Sequence, residues 1–288
     1  MKKKQKNQYR SYYQVSWDIL RRNYVAMICL FIILVLAVIA ICAPFLTPYE
    51  PNATKPRDRF QSPNAAHLLG TDQYGRDILT RICYGCRISL SVGLISQIIA
   101  SLLGYFIGVC AGYFGGKVDN VLSFLIQVFS SFPFLLFAIA VMFILGPGLL
   151  NLYIALGLLG WTSTARLIRG EVLRIKSSEY IQACVVGGGS PMRVILRHLL
   201  PNCVPILIIT ITLGIPNAIL SEASLSYLGL GVAPPTASWG SMISEAQPFI
   251  RGYTYYSMFP GLAIIITVLS FNLLGDGLRD ALDPKLRS

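Results

Sequence analysis

The sequence predicts an all-α polytopic membrane protein with six transmembrane helices, and three observations carry that prediction. Of its 288 residues, 54% are apolar and only 13% charged, whereas a soluble domain carries about 25% charged residues. Long stretches hold no charge at all. The basic residues, which give a net charge of +11, concentrate in alternate connecting segments, the pattern left when Lys and Arg stay on the cytoplasmic side of a bilayer. This composition, with a mean hydropathy of +0.61, excludes an ordinary cytosolic enzyme, a disordered chain and a secreted disulfide scaffold. The positive charge therefore points to membrane lipid and not to nucleic acid.

Because a central Lys, Arg or Asp costs about 2.5 to 3.5 kcal/mol on insertion scales, charge-free gaps mark the spans. They cover 23–49 (27 residues), 88–116 (29), 120–165 (46), 198–221 (24), 223–244 (22) and 252–275 (24). A crossing helix needs about 20 residues. The 120–165 gap holds two, joined by a turn at Gly146, Pro147 and Gly148. The 223–244 gap contains Gly229, Gly231, Pro234, Pro235, Trp239 and Gly240, whose backbone would go unpaired in lipid, so it reads as interfacial or protein-packed loop. Helices are thus predicted near 25–46, 89–114, 121–145, 149–166, 203–224 and 258–275.

With the N-terminus inside, segments 1–24, 115–120, 166–200 and 276–288 hold seventeen Lys and Arg, against seven in 47–87, 146–148 and 225–257. Both termini are expected in the cytoplasm. The outer loop 47–87 departs from the rule through Lys55, Arg57, Arg59, Arg76, Arg81 and Arg87. The expected organisation is a basic N-terminus (1–24), a first span (25–46), an extracytoplasmic loop (47–87), a transmembrane core (88–278) with an inner loop at 166–200 and an outer loop at 225–257, and a cytoplasmic C-terminus (279–288). Lys2, Lys3, Lys4 and Lys6 precede an apolar run that is too long and too late for a signal peptide, and no small-residue cleavage site follows it. Tyr12, Tyr13, Trp17 and Tyr24, interleaved with Arg10, Arg21 and Arg22, suit either an interfacial helix or a simple basic anchor.

Catalytic signatures are absent from the sequence. His67 and His198 lie 131 residues apart, neither belongs to an HExxH, and no span carries paired carboxylates. GYFGGK at 112–117 is one residue short of a P-loop and continues with Val118 where Ser or Thr should hold magnesium. Any ATP must be bound by another chain, and no cofactor is expected on this one. The seven cysteines read as small hydrophobes, and the CxxC of Cys83 and Cys86 lacks a second pair, so no metal site is expected. Glu222 is the one charge near a helix body, read as paired with a polar neighbour. The spans lack the midplane charges of an ion-coupled carrier, while Gln97 and Gln127 can bond between helices or line a path. Gly104, Gly108 and Gly112 form a doubled GxxxG stripe for close helix packing, within the chain or against a second subunit.

The inner loop 166–200 reads as two short helices. Ser178 and Glu179 open the first and Gly187, Gly188 and Gly189 end it; Ser190 caps the second with Pro191 at its first position, before Pro201 opens the next span. The residues Glu179, Tyr180, Ile181, Gln182, Ala183, Cys184 and Gly188, followed by 198–202 (HLLPN), resemble the EAA loop of ABC-importer inner-membrane permeases, most closely the peptide and nickel group. The resemblance extends to 70–77 (GTDQYGRD, with Asp72, Arg76 and Asp77), 112–119 (GYFGGKVD), 222–231 (EASLSYLGLG, opening at Glu222), 234–242 (PPTASWGSM, with Trp239) and 272–284 (NLLGDGLRDALDP, with Asp276, Arg279 and Asp280).

This resemblance implies a type I ABC importer permease (MetI-like) fold in the bacterial inner membrane. It also implies a homologous second permease, two cytoplasmic ATPases that carry the ATP and magnesium, and an extracytoplasmic substrate-binding protein. The EAA helix, with Glu179, Tyr180, Gln182, Ala183, Cys184 and Gly188, would couple to an ATPase, although Gln182 and Cys184 replace the motif's Glu and second Ala. The implied cargo is a di- or oligopeptide, with nickel or a metal chelate as the alternative within the family and a channel or ion-coupled carrier as the alternative outside it. A neutral outer segment with Ser226, Tyr227, Trp239, Ser241 and 253–256 can accept a donor protein or be merely a capped surface.

Overall fold

A computed structural model describes residues 12–282. The basic cluster at Lys2, Lys3, Lys4, Lys6 and Arg10, and the C-terminal residues 283–288, lie outside the described residues. Among the described residues the chain is helical throughout, and the only β pairing is an isolated antiparallel bridge between Thr71 and Asp77.

Helix α1 (Tyr12–Arg22) ends on Arg21 and Arg22, and α2 (Tyr24–Leu46) starts at Asn23, whose side chain accepts the Ala26 N–H at 3.1 Å. The next helix, α3 (Ile78–Phe114), begins well before the expected residue 89 because Asp77 caps it, accepting the Thr80 N–H at 2.7 Å. Residues 121–145 do not form one continuous helix. They divide between α4 (Gly116–Ser131) and α5 (Phe134–Leu145), bent by 88°. Pro133 forces the break: it lacks an N–H and pushes Phe132 out of the helical region to φ −83°, ψ 133°.

The turn at 146–148 leads into α6 (Leu149–Lys176), which continues ten residues past its expected end at 166, down to Lys176. Helix α7 (Glu179–Val186) follows after two residues. The second short helix of the inner loop is not separate. α8 (Pro191–Val194) passes through a π-turn at Ile195–Leu199 into α9 (Leu200–Tyr227), so one helix runs from 191 to 227. In the wide turn the Leu200 N–H reaches back to the Ile195 carbonyl, which accommodates Pro201 without ending the helix. Then come α10 (Trp239–Ala246), inside the segment read as loop, and α11 (Thr254–Leu282).

Among the described residues, four helices are long and apolar enough to cross a membrane: Tyr24–Leu46, Ile78–Phe114, Pro191–Tyr227 and Thr254–Leu282. The bent α4–α5 pair makes a fifth. The predicted count of six is reached only by including α6, which is long enough but carries Asn151, Thr162, Ser163 and Thr164 ahead of Arg166. Those polar residues are the reason it stands apart.

The α3–α6 pair is the backbone of the fold. A Cβ on Gly104 would sit 2.6 Å from Thr164 Cβ, one on Gly108 2.6 Å from the Ala165 carbonyl oxygen, and one on Gly112 2.9 Å from Val172 Cβ. From the other side, a Cβ on Gly157 would meet Ile99 Cγ2 at 2.7 Å. The glycine stripe thus makes its contact within the chain, where main chains touch and van der Waals packing replaces the missing hydrophobic drive between helices in lipid. Gly108→Ala is expected to lower the thermal midpoint in detergent, by overpacking worth about 1 to 3 kcal/mol. Gly261→Ala, where a Cβ meets nothing within 4 Å, should hold or raise it, since Ala is the better helix former.

Candidate coupling and translocation site

At one end of the bundle a charged cluster fastens loop 47–77 to α3, α10 and α11. Gly70 and Gly75 take positive φ (80° and 74°), and a Cβ on Gly75 would strike the Lys55 carbonyl, so the GTDQYGRD turn needs glycine at both places. Between them buried Asp72 accepts the N–H groups of Tyr74 (2.8 Å) and Arg76 (2.9 Å) and the Arg76 Nε–H. The Arg76 guanidinium also bonds to Glu245 at the end of α10, which receives Arg81 at 3.3 and 3.4 Å and the Tyr256 hydroxyl at 3.2 Å. Burial alone would pull the Arg76 pKa down, but Asp72 and Glu245 beside it hold it above the usual arginine value. Asp77, besides capping α3, accepts from His67 Nδ1 at 2.9 Å.

The basic residues that broke the charge rule in 47–87 are thereby half explained. Arg76 and Arg81 are buried in ion pairs, and Arg87 donates to the carbonyls of Ala40 and Ile41 inside α2. Glu245 was missed by sequence reasoning. Its signal was that no other acidic residue occurs between 223 and 275, opposite a loop with unexplained arginines.

Next to this cluster, fully buried Glu222 on α9 accepts from Ser226 Oγ (2.7 Å) and Ser238 Oγ (2.6 Å). Ser238 starts α10, and Trp239 behind it donates its main-chain N–H to Ser89 Oγ (3.2 Å) and its indole N–H to Ile82 O (3.1 Å). Ser226, Trp239 and Tyr256 are buried, so they do not belong to an accessible outer surface, whereas Tyr227 is exposed. Trp239 holds α10 against α3, Tyr256 bonds to Glu245, and Tyr253 stacks on Phe60 of the loop 47–77.

Midway along α3 and α6 lies a cavity of about 680 Å³, bounded also by α5 and α9. Gln97 lines it, donating to the Thr210 carbonyl at 3.4 Å; Gln127 is exposed on α4 and does not.

The opposite end carries α7. Its Ile181 is buried with Ile175, Val194, Leu199 and Cys203, while Glu179, Tyr180, Gln182, Ala183 and Val186 are exposed. Cys184, half-buried, has its Sγ 3.7 Å from His198 Nε2, and Asn202 Nδ2 reaches the Tyr180 hydroxyl at 3.5 Å. Gly188 adopts φ +81°, and the N–H groups of Gly187 and Gly189 return to the carbonyls of Ala183 and Cys184 (both 2.9 Å), closing the helix as a left-handed C-terminal cap does. The Gln182 side chain turns back to the Ser177 carbonyl at 3.4 Å. Behind α7, Arg169 grips Asp119 at the start of α4 through two bonds of 2.5 and 2.7 Å, a pairing that gives the last residue of GYFGGKVD a structural role. Asp276, Arg279 and Asp280 are exposed on the final turns of α11, beside Gly277, where α1 and α2 pack.

Residues 104–288 match the family described as binding-protein-dependent transport system inner membrane component, and residues 11–63 match the N-terminal TM domain of oligopeptide transport permease C. The chain belongs to this permease family. It is 44% identical to the dipeptide transport system permease protein DppC of Bacillus subtilis (strain 168), over 96% of this chain and 87% of that one. It is 40% identical to the oligopeptide transport system permease protein OppC of the same organism, over 93% and 88% of the two chains. A chain of the MetNI methionine ABC transporter, solved in inward-facing conformations, superposes with a TM-score of 0.58 at 20% identity, covering 72% of this chain and 96% of that one. That likeness establishes the MetI-like fold. The permease is therefore a multi-pass inner-membrane protein, and its relatives are transport permeases, not enzymes.

In this permease Glu245 bonds to two buried arginines at once and with Asp72 balances their charge. Glu245→Ala should destabilise the purified protein by about 3 kcal/mol, the cost of stranding a buried charge, read as a lower thermal midpoint with the loop 47–77 becoming open to protease. Unchanged stability would show that the cluster is solvated.

Proposed function

We propose that the chain is one of two homologous permease subunits of an ATP-driven importer of di- and oligopeptides, with ATP hydrolysed on two separate cytoplasmic ATPase subunits. The names of relatives at 40 to 44% identity support the peptide cargo. In this reading the chain crosses the membrane six times, through α2, α3, the bent α4–α5 pair, α6, α9 and α11. Both termini and α7 face the cytoplasm, and an extracytoplasmic binding protein delivers cargo to the end carrying loop 47–77 and α10.

The observation that carries the proposal is the build of α7. It is a two-turn helix whose one fully buried anchor, Ile181, is seated between the ends of α6 and α9, and whose opposite face is uncovered. A partner that grips the exposed face moves Ile181, and Ile181 cannot move without α6 and α9. Glu179, Gln182, Ala183 and Val186 form the gripped surface, with Tyr180 at its edge, and Cys184 and Gly188 fix the helix against its own loop. ATP binding closes the ATPases, the seated helix follows, and the packed spans alternate between inward-open and outward-open arrangements. The close α3–α6 contact makes the pair respond as one body.

Purification of the tagged chain with its native partners, followed by ligand-stimulated ATPase and uptake measurements, tests this function. Ala183→Asp should cut peptide uptake at least about tenfold, the loss expected for 1.4 kcal/mol of docking energy, while ATP hydrolysis and membrane insertion persist. Normal uptake in that variant would remove α7 from the coupling path.

A further inference from the structure

Resting on the reading as a peptide permease, we propose that the cavity between α3, α5, α6 and α9 is a cargo-contacting wall of the path. It would take short peptides of any side-chain charge through an uncharged surface of hydrogen-bond acceptors. At about 680 Å³, with no Asp, Glu, Lys or Arg in its lining, the cavity is within the size range of small-molecule sites. Four of its seven hydroxyls are already committed. Ser163 donates to the Gly160 carbonyl (3.3 Å), Thr210 to Leu207 (3.0 Å), Ser221 to Asn217 (2.7 Å) and Ser224 to Leu220 (2.9 Å).

A hydroxyl owns one proton. Once that proton is spent on the helix's own carbonyl, the oxygen can only accept from whatever enters. Asn217 donates one Nδ2 N–H to the Leu213 carbonyl at 3.4 Å, and its amide oxygen is available to an incoming donor. A peptide supplies such donors at each backbone N–H and at its α-ammonium group, whatever its side chains.

Ser96 supplies the complementary function. It lines the cavity, is 1% exposed, and its Oγ has no hydrogen-bond partner in the structure. A buried polar atom left unpaired is unfavourable, and a carbonyl or water brought in with cargo would satisfy it. The absence of charge is equally informative. A fixed charge on this wall would hold peptides of opposite sign and repel those of like sign, whereas neutral acceptors serve both.

The test uses the complete complex, with both permeases, the ATPases and the binding protein, reconstituted in vesicles, and compares uptake of Ala-Asp-Ala with that of Ala-Lys-Ala. Relative to the unmodified complex, Asn217→Asp should shift the ratio toward the lysine peptide by about tenfold and Asn217→Lys should shift it the other way, as expected for a charge pair in a partly screened site. Asn217→Gln should leave the ratio unchanged. Ser163→Asp, on the facing helix, should act as Asn217→Asp does. Unchanged ratios in assembled complexes with stimulated ATPase activity overturn the inference alone. Failure of Asn217→Asp and Ser163→Asp alike to assemble also overturns it, because the wall would then be packed against protein. An unmodified complex that takes up neither peptide overturns the peptide-permease reading, and this inference falls with it.

Discussion

Main-chain contact between α3 and α6 is the constraint on which the rest of the molecule depends. Gly104, Gly108 and Gly112 remove every side chain from one face of α3 over two helical turns, and α6 fills the space with the backbone of 161–169. In lipid, where apolar side chains gain nothing by leaving the solvent, such close packing is the main source of helix affinity. The long α3 is thereby bound to a helix that runs directly into α7. One end of this rigid pair carries the buried charge cluster and the other carries the exposed short helix, with the neutral cavity between them.

Charge is distributed by role. Arg76, Arg81, Asp72 and Glu245 are clustered where the chain leaves the spans, and each finds a partner there. Their burial is tolerable because the charges are mutually neutralised and hydrogen-bonded; removal of one partner would leave the others stranded. Within the cavity there is no formal charge at all. On the proposed reading, hydroxyls turned toward their own helices would offer cargo weak contacts from which it can be released.

The helix α7 joins these two themes. Its sequence has diverged from the family motif at Gln182 and Cys184, yet both positions have local uses: Gln182 bonds back to the Ser177 carbonyl, and Cys184 packs between Gly189 and His198. The buried Ile181 and the glycine cap fix α7 in place, and neither depends on a charged residue at 182.

Composition and spacing were enough to determine that the chain is helical and membrane-embedded, because burying or exposing a charge in lipid is costly enough to be read one residue at a time. The glycine stripe, the turn at 146–148 and the α7 boundaries were legible for a different reason: each depends on local backbone geometry. The tertiary structure alone decided the break at Pro133, the continuous helix through Pro201 and the burial of Trp239. It also decided the partnerships of Glu245 with Arg76 and Arg81 and of Asp119 with Arg169. These arise from contacts between residues 50 to 169 positions apart, and no local pattern encodes which distant charge will arrive to neutralise another.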